Sequence, residues 1–263
     1  MSPGVGRYQL GALLGAGAFG EVYAAIDPER GERVALKLLK RAAPDALARF
    51  KREFRALRDL LHPNLIALHE LGGGDDGWFF TMELIDGVDL TRWLGGGARA
   101  RATVGSGDDE LGAPSAAAAV DPARLAAALH QLVDALEVVH AAGRLHCDLK
   151  PNNILVEADG RVRLCDFGLV ADVGERSHEG TPWFMAPEQV RGDALAPATD
   201  WYAVGAILFD AFAGRPPFVG TADQVRAARC ATAAPAIATV VAGVPPELAR
   251  LIDRLLATDP GAR

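Results

Sequence analysis

Basic residues are in deficit: 27 lysines and arginines stand against 34 aspartates and glutamates, a formal charge of −7. This argues against nucleic acid and anionic lipid as partners, since both are captured by basic patches. Cysteine is scarce too. Cys147, Cys165 and Cys230 are odd in number and lack metal-ligand spacing, which fits reduced thiols and a cytoplasmic location better than a disulfide framework. Long apolar runs are missing. The longest stretch of low polarity, Ala231 to Pro246, holds three prolines and falls short of the roughly 18 apolar residues of a membrane span. No charged start followed by an apolar run opens the chain, so no signal peptide and no membrane segment are expected within it. What remains is an ordinary globular composition, 50% hydrophobic and 23% charged, in 263 residues. That length allows one large domain or two smaller ones with a sizeable core.

The polar residues with most chemical promise lie between Leu145 and Gly168, in LHCDLKPNNILVEADGRVRLCDFG. Asp148, Asn153 and Asp166 sit among apolar residues in two short segments that a turn can bring side by side. Two carboxylates and a carboxamide suit a site that takes a proton from a nucleophile while holding a divalent cation. The same residues could also form a plain polar loop, so the rest of the chain decides.

Tyr8 to Leu14 and Glu21 to Ile26 read as a hairpin around Gly15-Ala16-Gly17-Ala18-Phe19-Gly20. Glycines at this spacing let backbone N–H groups approach phosphate oxygens. A bland turn shares the pattern, and so does a dinucleotide-binding turn, though the latter runs from strand into helix. Arg33 to Leu39 form a third strand with Lys37 among apolar residues. That is costly unless its charge is paired. From Asp45 to Leu61, Leu47, Phe50, Phe54, Leu57 and Leu61 recur at helical spacing, with Glu53 able to face the strand. A surface lysine and a solvated glutamate are the plainer alternative. Leu65 to Leu71 and Trp78 to Leu84 read as two strands joined by the turn GGGDDG. Five strands and one helix thus make a small first lobe, followed by a connector over Glu83 to Gly87 and a flexible insertion from Gly95 to Val120. Asp121 caps a helix with Pro122 in its first turn, and Leu125, Leu129, Leu132, Leu136 and Val139 form its apolar face. An apolar helix from Asp200 to Ala213 and another from Leu248 to Leu256 fill a mainly helical second lobe.

In this order the motifs resemble the eukaryotic-like (Hanks-type) protein Ser/Thr kinases, and the alanine- and glycine-rich composition is similar to that of a bacterial member. The resemblance runs from Gly15 to Arg263, the insertion excepted. It implies an α+β fold: a bilobal protein-kinase fold with a small antiparallel β-sheet lobe carrying one helix and a larger, mainly helical lobe. The lobes would span about 1–84 and 88–263, with a hinge at about 83–87 and the insertion at about 95–120. It implies ATP and Mg2+ as cofactors and a protein Ser/Thr hydroxyl as acceptor. Leu14, Gly15, Gly17 and Gly20 would cover the ATP phosphates, and Val22, Ala35 and Leu155 would sandwich the adenine. Lys37 would bind phosphates and be held by Glu53. Met82 would back the adenine pocket, the Glu83 and Ile85 backbones would bond its edge, and Asp89 would reach the ribose. Asp148 would deprotonate the substrate hydroxyl, Lys150 would neutralise the transferring phosphoryl, and Asn153 and Asp166 would hold magnesium. Thr181 would bond the catalytic loop, although a phosphosite is a competing reading. Asp200 would anchor that loop, Glu188 would pair with Arg263, and His146 would lie beneath Phe167 with Leu57 and Leu68 above.

The family commonly has histidine-arginine-aspartate where this chain has His146-Cys147-Asp148. The arginine usually receives a phosphate from the activation segment, and cysteine has no charge to do so. Ser177 is the only hydroxyl from Leu169 to Gly180, so the expectation is a kinase that does not depend on phosphorylation there. Cys147 and Cys165 adjoin catalytic positions, which suggests either a redox role or two inert buried side chains. A pseudokinase or ATP-binding scaffold is the alternative function, and a small-molecule phosphotransferase a third. DLKPNN and the GTPWFMAPE segment favour a protein Ser/Thr substrate.

Overall fold

The computed structural model describes residues 4–17, 20–39, 51, 54–55, 57–74, 77–95, 120–167 and 170–263. Six antiparallel strands build the first lobe: β1 (Gly4–Val5), β2 (Tyr8–Gly17), β3 (Gly20–Asp27), β4 (Glu32–Leu39), β5 (Leu68–Gly74) and β6 (Gly77–Glu83), in the order β1-β2-β3-β4-β6-β5. The sheet therefore has one strand more than the five expected, a two-residue edge pairing Gly4 with Gln9 and Val5 with Tyr8.

The expected GGGDDG turn is shorter than its composition suggests, because Gly72, Gly73 and Gly74 belong to β5 and Gly77 to β6. Packing explains this. A Cβ on Gly72 would lie 2.3 Å from the Phe79 ring, and one on Gly73 would lie 2.7 Å from the Trp78 ring, so the aromatic side chains of β6 lie across a bare backbone. At the other end β5 starts at Leu68, not Leu65, since Leu65 instead forms a bridge with Leu164 in the second lobe. Residues 51, 54–55 and 57–58 are helical and bury Phe54 and Leu57. Leu61, expected on the same apolar face, lies beyond them and is 85% exposed. Glu53 and nearly all of the expected insertion lie outside the described residues.

The second lobe contains α1 (Leu90–Trp93), α2 (Pro122–Ala141), α3 (Pro187–Arg191), α4 (Pro197–Ala213), α5 (Ala222–Ala231), α6 (Ile237–Val240) and α7 (Pro246–Leu255). Two small sheets carry its polar loops: β7 (Gly87–Asp89), β9 (Ile154–Glu157) and β10 (Val162–Leu164) in the order β10-β9-β7, and β8 (Arg144–Leu145) with β11 (Ala171–Asp172). Asp121 caps α2 as expected, accepting from the N–H groups of Ala123 and Arg124 at 2.9 and 3.3 Å. Its buried stripe of Leu125, Leu132, Leu136 and Val139 joins one core cluster with α4, which is buried on almost every side from Thr199 to Ala211. Apolar burial all round makes α4 the internal post of the lobe. It begins at Pro197, three residues before the expected Asp200, and α7 starts at Pro246. A Cβ on Gly205 would come within 2.8 Å of Leu255 Cβ, so α4 and α7 touch where the side chain is absent.

Candidate active site

The post positions the loop that carries Asp148. Asp200 lies in the first turn of α4, 1% exposed, where a carboxylate is favoured by the helix dipole. Its two oxygens accept the backbone N–H groups of His146 and Cys147, each at 2.9 Å, and His140 Nε2 lies 2.8 Å from Oδ2. These bonds hold Cys147 at φ 63°, a left-handed conformation that a non-glycine residue adopts only under local constraint. His146 is fully buried. Its Nε2 donates to the Cys165 carbonyl at 3.0 Å, its Nδ1 accepts from Asp148 N at 3.3 Å, and its ring lies 5.0 Å from that of Phe167. The carbonyl partner places a proton on Nε2. Leu57, Leu68 and Phe167 line one small cavity.

Asp148 is 8% exposed, with its carboxylate surrounded by donors. Oδ1 accepts from Thr181 N at 2.8 Å and Thr181 Oγ1 at 2.6 Å, and Oδ2 accepts from Asn153 Nδ2 at 3.3 Å. Lys150 Nζ lies 3.4 Å from Oδ2 and donates to Thr181 Oγ1 at 3.1 Å. Asn153 also donates to the Asp148 carbonyl at 2.8 Å, closing the turn Pro151–Asn153. A carboxylate fixed by three hydrogen bonds from two residues, beside a lysine, is oriented to receive a proton and is backed by positive charge.

Asp166, at φ 58°, forms an ion pair with the buried Lys37 of β4. Burial alone would raise its carboxyl. The charge and hydrogen bond of Lys37, with Lys150 and His146 nearby, outweigh that and hold it below the usual carboxylate range. Lys37 thus has a charge partner, and the sequence-expected partner Glu53 lies outside the described residues. Val22, Ala35, Met82 and Leu155 meet in one apolar cluster with Phe80 and Cys165, and Leu14 and Ile85 pack against it. Gly15 and Gly17 lie on β2, paired with Val22 and Gly20 of β3. Ala18, Phe19 and Gly168 lie outside the described residues. Asp89 caps α1, accepting from Arg92 N at 3.1 Å and Thr91 Oγ1 at 2.5 Å.

The chemistry of the donor set fits a magnesium–nucleotide complex. One carboxylate and one carboxamide, Asp166 and Asn153, leave most of the coordination shell to phosphates and water, the usual arrangement for Mg2+.

The family description "protein kinase domain" matches residues 8–263. The chain belongs to the protein kinase family. Its relatives place it with the bacterial Hanks-type Ser/Thr kinases. It is 38% identical over 237 residues to the DNA damage-responsive serine/threonine-protein kinase RqkA of Deinococcus radiodurans, covering 85% of this chain and 33% of that protein. It is 34% identical over 267 residues to serine/threonine-protein kinase PknE of Mycobacterium bovis, covering 98% and 44%, and 32% identical over 282 residues to PknA of Mycobacterium tuberculosis, covering 100% and 60%. The kinase chain therefore spans between about a third and three-fifths of the length of these relatives.

Three side chains of this kinase escape a reading of the sequence. Arg163 forms an ion pair with the Glu83 carboxylate and donates to the Pro63 carbonyl at 3.1 Å, tying the β6–β7 connection to the second lobe. Gln189 donates to the carbonyls of Cys147 at 2.8 Å and Glu179 at 3.1 Å. Arg229 is buried against the segment after Thr181. The available signal was faint: each is a polar residue in a stretch whose spacing gives no functional pattern.

Proposed function

We propose that this kinase domain transfers the γ-phosphoryl group of ATP to a Ser or Thr hydroxyl of a protein substrate. We also propose that it needs no phosphate on the segment between Asp166 and Thr181 to do so. The observation that carries the first part is the Asp148 carboxylate, oriented by Thr181 and Asn153 with Lys150 at 3.4 Å. Asp148 takes the proton of the incoming hydroxyl, and Lys150 offsets the charge that builds as the phosphoryl moves. Lys37 holds the phosphates, steadied by Glu53. Leu14, Gly15, Gly17 and Gly20 cover them, and Val22, Ala35, Met82 and Leu155 enclose the adenine, whose edge bonds the Glu83 and Ile85 backbones. Asp89 meets the ribose. Magnesium, when bound at Asn153 and Asp166, neutralises phosphate charge. The hinge at about 83–87 separates the lobes, and the domain works in the cytoplasm, where ATP is plentiful.

Cys147 supports the second part. It packs with Leu145, Ala171 and Leu195 in an apolar cluster. Strand β11 pairs with β8, Arg144 bonds Asp172 at 2.5 Å, and Gln189 bridges Cys147 to Glu179. Backbone bonds and apolar packing thus dock the segment where family members commonly use an arginine and a phosphate. The test is phosphatase treatment before a steady-state assay. An unchanged rate is expected, and a collapse in rate would overturn this part.

A further inference from the structure

Arg229 is the bulkiest fully buried side chain among the described residues, 1% exposed on a helix whose neighbouring Cys230 is exposed. Among those residues it forms no ion pair. Its Nη1 donates to the carbonyls of Pro182 and Met185, both at 2.5 Å, and its Nη2 donates to that of Trp183 at 2.8 Å. The guanidinium lies 5.5 and 5.3 Å from the ring centres of Tyr202 and Phe218, while its Nε meets no acceptor. Burial lowers its affinity for the proton. A buried cation with no carboxylate is a poor device for stability, and an apolar side chain of the same volume often serves as well or better. What the guanidinium does uniquely is aim three carbonyls of one short segment with a rigid, planar fork. That segment starts beside Thr181, whose N–H and hydroxyl hold Asp148. Trp183 Nε1 adds a 3.4 Å bond to the Gly220 carbonyl, at the start of the same helix–loop unit.

We infer that Arg229 is a positioning residue for the protein substrate, shaping residues 182–185 into the backbone surface against which the acceptor peptide lies beside Asp148. The inference rests on the phosphotransfer reading above. Pro182, Trp183 and Met185 present their remaining backbone groups in a fixed register only while the fork is in place. ATP, enclosed by the cluster around Ala35 and Leu155, is held independently of it. Loss of the fork therefore acts on peptide binding and leaves nucleotide binding alone.

The experiment is steady-state phosphorylation of a Ser/Thr peptide by the 263-residue chain, by Arg229→Met and by Arg229→Lys, varying peptide and Mg-ATP separately, with thermal melts of each protein. Arg229→Met should raise the peptide KM about tenfold or more while the ATP KM stays within about twofold. Arg229→Lys, which keeps the charge and loses the fork, should recover only part of the peptide KM. Equal changes in both KM values, or none, in a folded variant would overturn the inference. If Arg229→Met does not fold, Arg229→Lys decides alone: a selective rise in peptide KM upholds the inference, and an unchanged one overturns it. A wild-type chain that transfers no more phosphate than Asp148→Asn would sink the kinase reading and this inference together, an outcome distinct from an active wild type with insensitive variants.

Discussion

Thr181 joins two functions at one side chain. Its hydroxyl donates to Asp148 at 2.6 Å and accepts from Lys150 at 3.1 Å, so the two groups proposed to act on the acceptor hydroxyl share one neighbour. Removing that hydroxyl leaves a buried carboxylate short of a donor. Hydrogen bonds to charged groups contribute about 1.5–3 kcal/mol, so Thr181→Val should lower kcat by roughly tenfold to a hundredfold, and Thr181→Ser should restore most of it. A phosphosite role at Thr181 predicts the reverse for serine only if the residue leaves Asp148, which intact-mass and rate measurements on the same samples would reveal. The cysteines divide cleanly. Burial pushes the Cys165 thiol up to about 12, with the Asp166 charge adding to it, and Cys147 is also pushed up by burial and by Asp200. Both are poor nucleophiles, which favours the inert reading over the redox one. Iodoacetamide should modify only the exposed Cys230 in the native protein and all three thiols in denaturant. A thiol raised in the folded state gives stability that is full below its unfolded value, near 9, and is lost as pH climbs from there towards about 12. Melting temperature should therefore fall through that window, and Cys165→Ala should flatten the decline. At this scale the motif residues were legible because their chemistry is tied to type and spacing. Arg229 was not, since nothing in the spacing of QVRAARC marks an arginine that tertiary packing will bury.

Helix α2 was legible almost to the residue. A capping aspartate, a proline at the first turn and a regular leucine stripe all point to one start and one buried face, and the structure has the helix at Pro122–Ala141. Substituting the cap tests whether that local signal carries energy: Asp121→Ala should cost about 1 kcal/mol in chemical denaturation, with little effect on activity. Strands β5 and β6 were read less well. Glycine runs signal turns when nothing packs on them, but here the rings of Phe79 and Trp78 occupy the space that side chains would fill. Cross-strand packing overrode local preference, as sheets commonly allow. The two-residue strands β1, β8 and β11 give no periodic signal at all, because each is defined by its partner. Yet β8 and β11 matter to the proposed function, since their pairing sets Ala171 and Asp172 beside the strand that leads into the loop carrying Asp148.

Across the whole molecule, buried polar links join distant parts of the chain. Arg263 donates to both carboxylate oxygens of Glu188 at 2.5 and 2.8 Å, and the pair is almost completely buried. Breaking such a pair strands a charge, so Glu188→Gln should destabilise the fold by about 3–5 kcal/mol. The effect should appear in the denaturation midpoint before it appears in the ATP KM. The pairing was legible only through resemblance, since 75 residues separate the partners and no periodicity spans that distance. The bilobal architecture followed from the same source, and composition alone would have stopped at a globular protein. The central claim is that these links hold Asp148 ready to serve a protein hydroxyl. Transfer of radiolabelled phosphate from Mg-ATP to a generic protein substrate, by wild type and Asp148→Asn side by side, tests it most directly. The account predicts clear labelling by the wild type and a loss of about a hundredfold or more in the variant. Equal labelling by the two proteins, or none by either, would contradict it and leave a nucleotide-binding scaffold in its place.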